Sequence, residues 1–151
     1  MRLTPVKDFL LYIEDCHLAL ADLYQRLSTE VTDHNVTLLL KHMQNQEQIS
    51  RQNLNNFVQE ASPALLDTWL DNNFDQNFLL RCKGLKLNSE LVIKDVVNLT
   101  TKLAVQLIDL MQTAAFNTHT IEAEKALERL TDKQEEMLQQ AIIASHEFEY
   151  R

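Results

Sequence analysis

Apolar positions recur at steps of three and four through four long stretches of this chain, and each stretch reads as one helix with a single buried stripe. The first stripe is Val6, Leu10, Ile13, His17, Leu20, Tyr24 and Leu27. Thr4-Pro5 predicts its start, with Thr as the N-cap and Pro at the first helical position, and it runs to about Ser28. Thr32-Asp33 caps the second, whose stripe Val36, Leu40, Met43, Glu47, Ser50, Leu54 and Phe57 reaches about Ala61. Ser62-Pro63 stops that helix and opens a short one, roughly Pro63 to Leu70. Residues 71–88, rich in Asn and Asp, read as a crossover that carries Phe74, Phe78, Leu79 and Leu80 over an end or flank of the molecule. Asn88-Ser89 caps the third long helix, with the stripe Ile93, Val97, Thr100, Ala104, Leu107, Met111 and Ala114. After a turn at 117–120 comes the fourth stripe: Ala123, Leu127, Leu130, Gln134, Met137, Ala141, Ala144 and Phe148.

The third and fourth stretches copy the first and second. Asp22-Leu23-Tyr24-Gln25 recurs as Asp109-Leu110-Met111-Gln112, and 109 − 22 is 87. The same offset pairs Met43 with Leu130, Glu47 with Gln134 and Ser50 with Met137. Two helical hairpins, about 5–61 and about 89–148, joined by a crossover at about 62–88, predict an all-α four-helix bundle spanning 1–151 as a single domain. A joining segment this long leaves open whether the third helix runs parallel or antiparallel to the second.

Composition supports long helices with few connections. One Gly and two Pro interrupt 151 residues, too few for the turns a sheet protein needs. A formal net charge of −8 disfavours nucleic acid and anionic membrane as partners, since either would require a basic face. Cys16 and Cys82 form no CxxC pair and make no disulfide framework; Cys16, beside the first stripe, is expected as a buried free thiol. Asp8, Glu14 and Asp15 break up the N-terminal apolar run, so neither a leader nor a membrane span is expected, and the location is expected to be cytoplasmic.

Each stripe carries a polar or small residue near its middle: His17; Glu47 and Ser50; Thr100 and Ala104; Gln134. In antiparallel hairpins the mid-helix positions meet at one height, which predicts a layer across the bundle centre. Glu47 inside a core is costly unless paired, and His17 on the neighbouring helix is its natural partner. Di-iron and di-manganese bundles place their chemistry in such a layer. They take one Glu from each of two helices and a Glu-x-x-His from each of the other two, the i, i+3 spacing putting both ligands on one face.

On Leu20-Ala21-Asp22-Leu23-Tyr24-Gln25-Arg26-Leu27 and Leu40-Lys41-His42-Met43-Gln44-Asn45-Gln46-Glu47-Gln48-Ile49-Ser50 the chain resembles the ferritin-like superfamily, rubrerythrin-like members most closely. The resemblance covers nearly the whole chain as a pattern of hairpins and crossover. It implies a bundle fold, a possible homodimer, and iron or manganese held at the layer. The ligand positions depart from that pattern. Glu47 falls on the motif glutamate of the second helix and Ser50 where the histidine belongs; the fourth-helix motif reads Gln134-Glu135-Glu136-Met137. His17 occupies the first-helix glutamate position, and 17 + 87 brings its counterpart to Ala104.

The expected function is therefore that of a ferritin-like helical bundle without di-iron chemistry, acting as an interaction, regulatory or structural protein rather than an enzyme. No catalytic or cofactor-binding residue is assigned, and a protein partner or a homodimer is expected. The alternative is a metal-binding or oxidoreductase relative with a non-standard iron or manganese site around His17 and Glu47. A phosphotransfer module with a reactive His17, His42 or His119 is a third reading; Lys41-His42 partly meets its needs, although no Gly follows.

Overall fold

The computed structural model describes residues 3–71, 74–86 and 89–149. Four long helices dominate: α1 (Val6–Glu30), α2 (His34–Glu60), α5 (Ile93–Phe116) and α6 (Ile121–Glu149). Before α1 lies a short strand, β1 (Leu3–Pro5); between α2 and α5 the chain forms α3 (Pro63–Leu66), β2 (Trp69–Asp71) and α4 (Phe78–Gly84).

The helix boundaries follow from local chemistry. The Asp33 carboxylate caps α2 by accepting from the Val36 N–H at 3.0 Å, as Thr32-Asp33 predicts. Ser62 Oγ accepts from the Leu65 N–H at 3.2 Å and Pro63 opens α3. In the α5–α6 turn, Thr120 Oγ1 accepts from the Ala123 N–H at 3.2 Å.

Several expected boundaries are corrected. Pro5, not Thr4, stands at the N-cap of α1, and no side chain caps that helix, because Thr4 is drawn into β1. The short helix ends at Leu66 rather than Leu70: the chain straightens into β2 to pair antiparallel with β1, Thr4 opposite Leu70. Besides the expected short helix, the crossover contains a second one, α4. The third long helix starts at Ile93, where the Asp95 carboxylate accepts from the Val92 N–H at 3.0 Å; Ser89 lies in a turn short of it, and Asn88 falls outside the described residues.

Backbone hydrogen bonds at the two ends fix the topology. At one end the Thr32 N–H, in the α1–α2 turn, donates to the Ser89 carbonyl just before α5. At the other, the Asp71 N–H donates to the Asn117 carbonyl and the His119 N–H to the Trp69 carbonyl, at 3.1 and 3.2 Å, so β2 is stitched to the α5–α6 turn. Hence α2 and α5 run in the same direction. The crossover must travel the whole bundle, roughly 40 Å for a 27-residue helix at 1.5 Å per residue. The result is two helical hairpins with one long connection, an all-α four-helix bundle.

The core lies between the four stripes, with Phe9, Leu10, Ile13, Leu20, Tyr24, Leu39, Leu40 and Leu107 fully enclosed. The crossover closes its flank. Phe78 and Cys82 of α4 are buried, and Phe74 meets Phe9 edge-on at 4.9 Å and 74°. Arg26 of α1 reaches the C-terminal end of α4, donating to the carbonyls of Leu85 (2.8 Å), Cys82 (3.4 Å) and Lys83 (3.5 Å). Among the described residues, no helix is long and apolar enough to cross a membrane.

Candidate functional site

The central polar residues sit where the hairpins pack. His17 is buried on α1, and Glu47 faces it from α2 with its side chain 14% exposed. Their separation is 2.7 Å between His17 Nδ1 and Glu47 Oε2. An ionised carboxylate can only accept, so Nδ1 carries the proton and donates, leaving the Nε2 lone pair unused by any described residue.

One turn further along α2, Ser50 is buried and its hydroxyl donates to Met137 Sδ of α6 at 2.8 Å. Gln134, one turn before Met137, is buried as well. His17, Ser50, Gln134 and Met137 border a common cleft of about 300 Å³ whose floor includes Ile13, Leu54 and Met111. The layer is thus brought together on three helices. On α5, Ala104 is buried and fills space, and Thr100 Oγ1 is buried with no partner at hydrogen-bonding geometry. That hydroxyl lies beside Tyr24, whose phenol burial pushes well above its usual range; the negative charge of Glu47 adds to the rise and Thr100 opposes it.

Both cysteines are buried and free. Burial pushes the Cys16 thiol up to about 12, with the Tyr12 hydroxyl opposing. Cys82 is pushed up to about 11, again by burial first, with Arg81 opposing. Neither is a thiolate at neutral pH, which removes the nucleophile a reactive cysteine needs.

The other histidines stand apart from the layer. His42 is half-buried with its ring 5.7 Å from that of Phe148. His119 is exposed in the α5–α6 turn and contacts Asp71 at 3.1 Å. Trp69 is exposed in β2, whereas Phe74 and Phe78 cover the bundle.

The structure also shows a polar residue that the stripe logic passes over. Glu14, one turn before His17 on α1, is only 7% exposed and makes no hydrogen bond or ion pair with a described residue. With His17 it borders a second, more polar cleft of about 420 Å³ on the α1–α2 side, together with Gln48, Arg51, Gln52 and Asn55. The i, i+3 relation to His17 was the available signal, since it places both residues on one helical face.

A di-metal centre of the kind the resemblance implies needs carboxylates from all four helices. The residues here do not fit it. At the layer, α5 offers Ala104 and the Thr100 hydroxyl, and α6 offers the Gln134 amide and the Met137 thioether, a poor donor set for a hard cation. Among the described residues, no three His, Cys, Asp or Glu side chains converge as a metal-binding group.

No family model matches the chain, and no curated protein does. Among solved structures it is similar to a Thermotoga maritima protein described as a "putative ferritin-like diiron-carboxylate protein". The TM-score is 0.63 at 17% identity, over 97% of this chain and 98% of that one. The likeness is one of fold: this chain is an all-α bundle of the ferritin-like type.

Proposed function

We propose that this ferritin-like bundle works without a di-iron centre, as an interaction, regulatory or structural protein, alone or as a homodimer. The observation that carries the reading is the filling of the central layer. Ser50 and Met137, standing where the two motif histidines would belong, are engaged with each other at 2.8 Å. Ala104 and Gln134 replace the carboxylates of the second hairpin. Hydrogen-bonded and van der Waals packing there does what a charged cage and its metals would do elsewhere, joining the hairpins.

Elemental analysis of the protein as purified from its native source, with its mass in solution, tests this. The expected result is iron and manganese far below one equivalent per chain. Two equivalents per chain would overturn it.

A second reading, one non-standard metal or redox site around His17 and Glu47, draws support from their contact, because imidazole and carboxylate are both ligand types. In that reading the free Nε2 would be the ligand atom and Glu47 would orient the ring. Loss of bound metal on His17→Ala would support it; an unchanged metal content would remove it.

A further inference from the structure

We propose that the polar cleft between α1 and α2 binds a small zwitterion, a primary ammonium group held by Glu14 and a carboxylate held by Arg51. The starting point is Glu14. Its residue surface is more than nine-tenths buried, yet its carboxylate is matched by no donor among the described residues. The carboxylate is largely enclosed but not sealed, since neither of its oxygens is among the fully buried unpartnered atoms. Its narrow opening is onto the cleft, and a mostly enclosed carboxylate with no protein donor favours a cation there.

Arg51 supplies the opposite pole. It borders the same cleft from α2, is exposed, and makes no hydrogen bond or ion pair with a described residue. Two opposite charges on facing helices would attract, yet they do not come within ion-pair distance of each other. A metal ion or a simple amine would satisfy Glu14 and leave Arg51 unmatched; a simple anion would do the reverse. A molecule carrying an ammonium at one end and a carboxylate at the other satisfies both, the guanidinium fork taking the carboxylate in a bidentate pair.

Between the poles the wall fits the same chemistry. Gln48 and Gln52 present side-chain amides whose carbonyls can accept the remaining ammonium protons. The volume of about 420 Å³ falls in the range of small-molecule sites, about 300–1,000 Å³. The proposal rests on the metal-free reading, because a cation held by Glu14 would take the ammonium's place. Metal content of the protein as purified tests that reading; titration of chelator-treated protein tests this one.

The experiment is calorimetric titration of the full chain with glycine, 4-aminobutanoate and 5-aminopentanoate, against butylamine and butanoate as single-charge controls. One zwitterion is expected to saturate a single site, with both controls at least about tenfold weaker, since each forfeits one charge-assisted contact. Glu14→Gln keeps the side-chain shape, so it should weaken that zwitterion at least about tenfold while the unliganded protein melts no lower. Arg51→Gln, at an exposed position, should reduce the zwitterion to the affinity of butylamine, and it decides the matter if Glu14→Gln fails to fold. The proposal is overturned if no zwitterion binds, if butylamine binds as well, if either variant binds unchanged, or if manganese or zinc alone occupies the cleft through Glu14.

Discussion

The Ser50 hydroxyl donates to the Met137 thioether at 2.8 Å, and the two residues stand 87 positions apart. The same separation relates the first residues of α1 and α5, 93 − 6, and of α2 and α6, 121 − 34. At Ser50 and Met137, positions that correspond by this offset meet face to face between α2 and α6. A weak sulfur acceptor is the whole of the hydroxyl's satisfaction here.

Removing the acceptor should consequently cost more than removing the donor. Met137→Leu strands a buried hydroxyl and should destabilise by about 1–2 kcal/mol, whereas Ser50→Ala should cost under about 1 kcal/mol. Combining the two should recover much of the first loss. Urea unfolding of the three variants checks this; an innocuous Met137→Leu would show that the contact carries no weight.

The His17–Glu47 pair offers a sharper case, because one partner is ionic. With His17→Leu, Glu47 keeps its charge in a site where only 14% of its side chain is exposed, and the loss should be about 2–4 kcal/mol, somewhat below that for a fully enclosed pair. Replacing both by leucine should restore most of it. A double-mutant cycle with a coupling energy near zero would mean that the 2.7 Å contact is incidental.

That pair was legible in the sequence because both residues occupy stripe positions on adjacent helices of one hairpin, where the period of 3.6 says which side faces inward. The four long helices were legible for the same reason. What escaped is what periodicity does not encode. The seven-residue α4 is too short to show a stripe, and β1 and β2, three residues each, are defined by pairing with one another across more than sixty intervening positions. The direction of α5 relative to α2 rests on backbone bonds at Ser89 and Asn117, which no side-chain pattern announces. Glu14 read as a charge interrupting an apolar run, since its neighbour Ile13 already held the inward position; its burial arises from the depth of the α1–α2 groove.

The crossover has its own dependence on one side chain. Arg26 donates to three carbonyls at the end of α4, the shortest contact being 2.8 Å to Leu85. Arg26→Ala should cost about 1–2 kcal/mol and loosen α4 before the bundle. Hydrogen exchange should rise selectively over residues 78–84 while the amides of α1 and α2 stay protected; equal changes throughout would contradict this local role.

Alkaline pH should expose the buried thiols as a stability term. Cys16 and Cys82 titrate at about 12 and about 11 in the folded chain, above the 9.0 of an unperturbed thiol. Folded values raised in this way stabilise the native state fully below pH 9.0 and lose that contribution as pH climbs toward them, because the unfolded chain sheds protons that the folded chain retains. Each thiol should then contribute a slope of about −1.4 kcal/mol per pH unit above its unfolded value, and buried Tyr24 should steepen the fall above pH 10.0 in the same sense. Urea unfolding between pH 8 and 10.5 measures the slope, with Cys16→Ala and Cys82→Ala each expected to flatten it by about half the thiol contribution. A stability that holds level across that range would mean that the thiols reach solvent in the folded state.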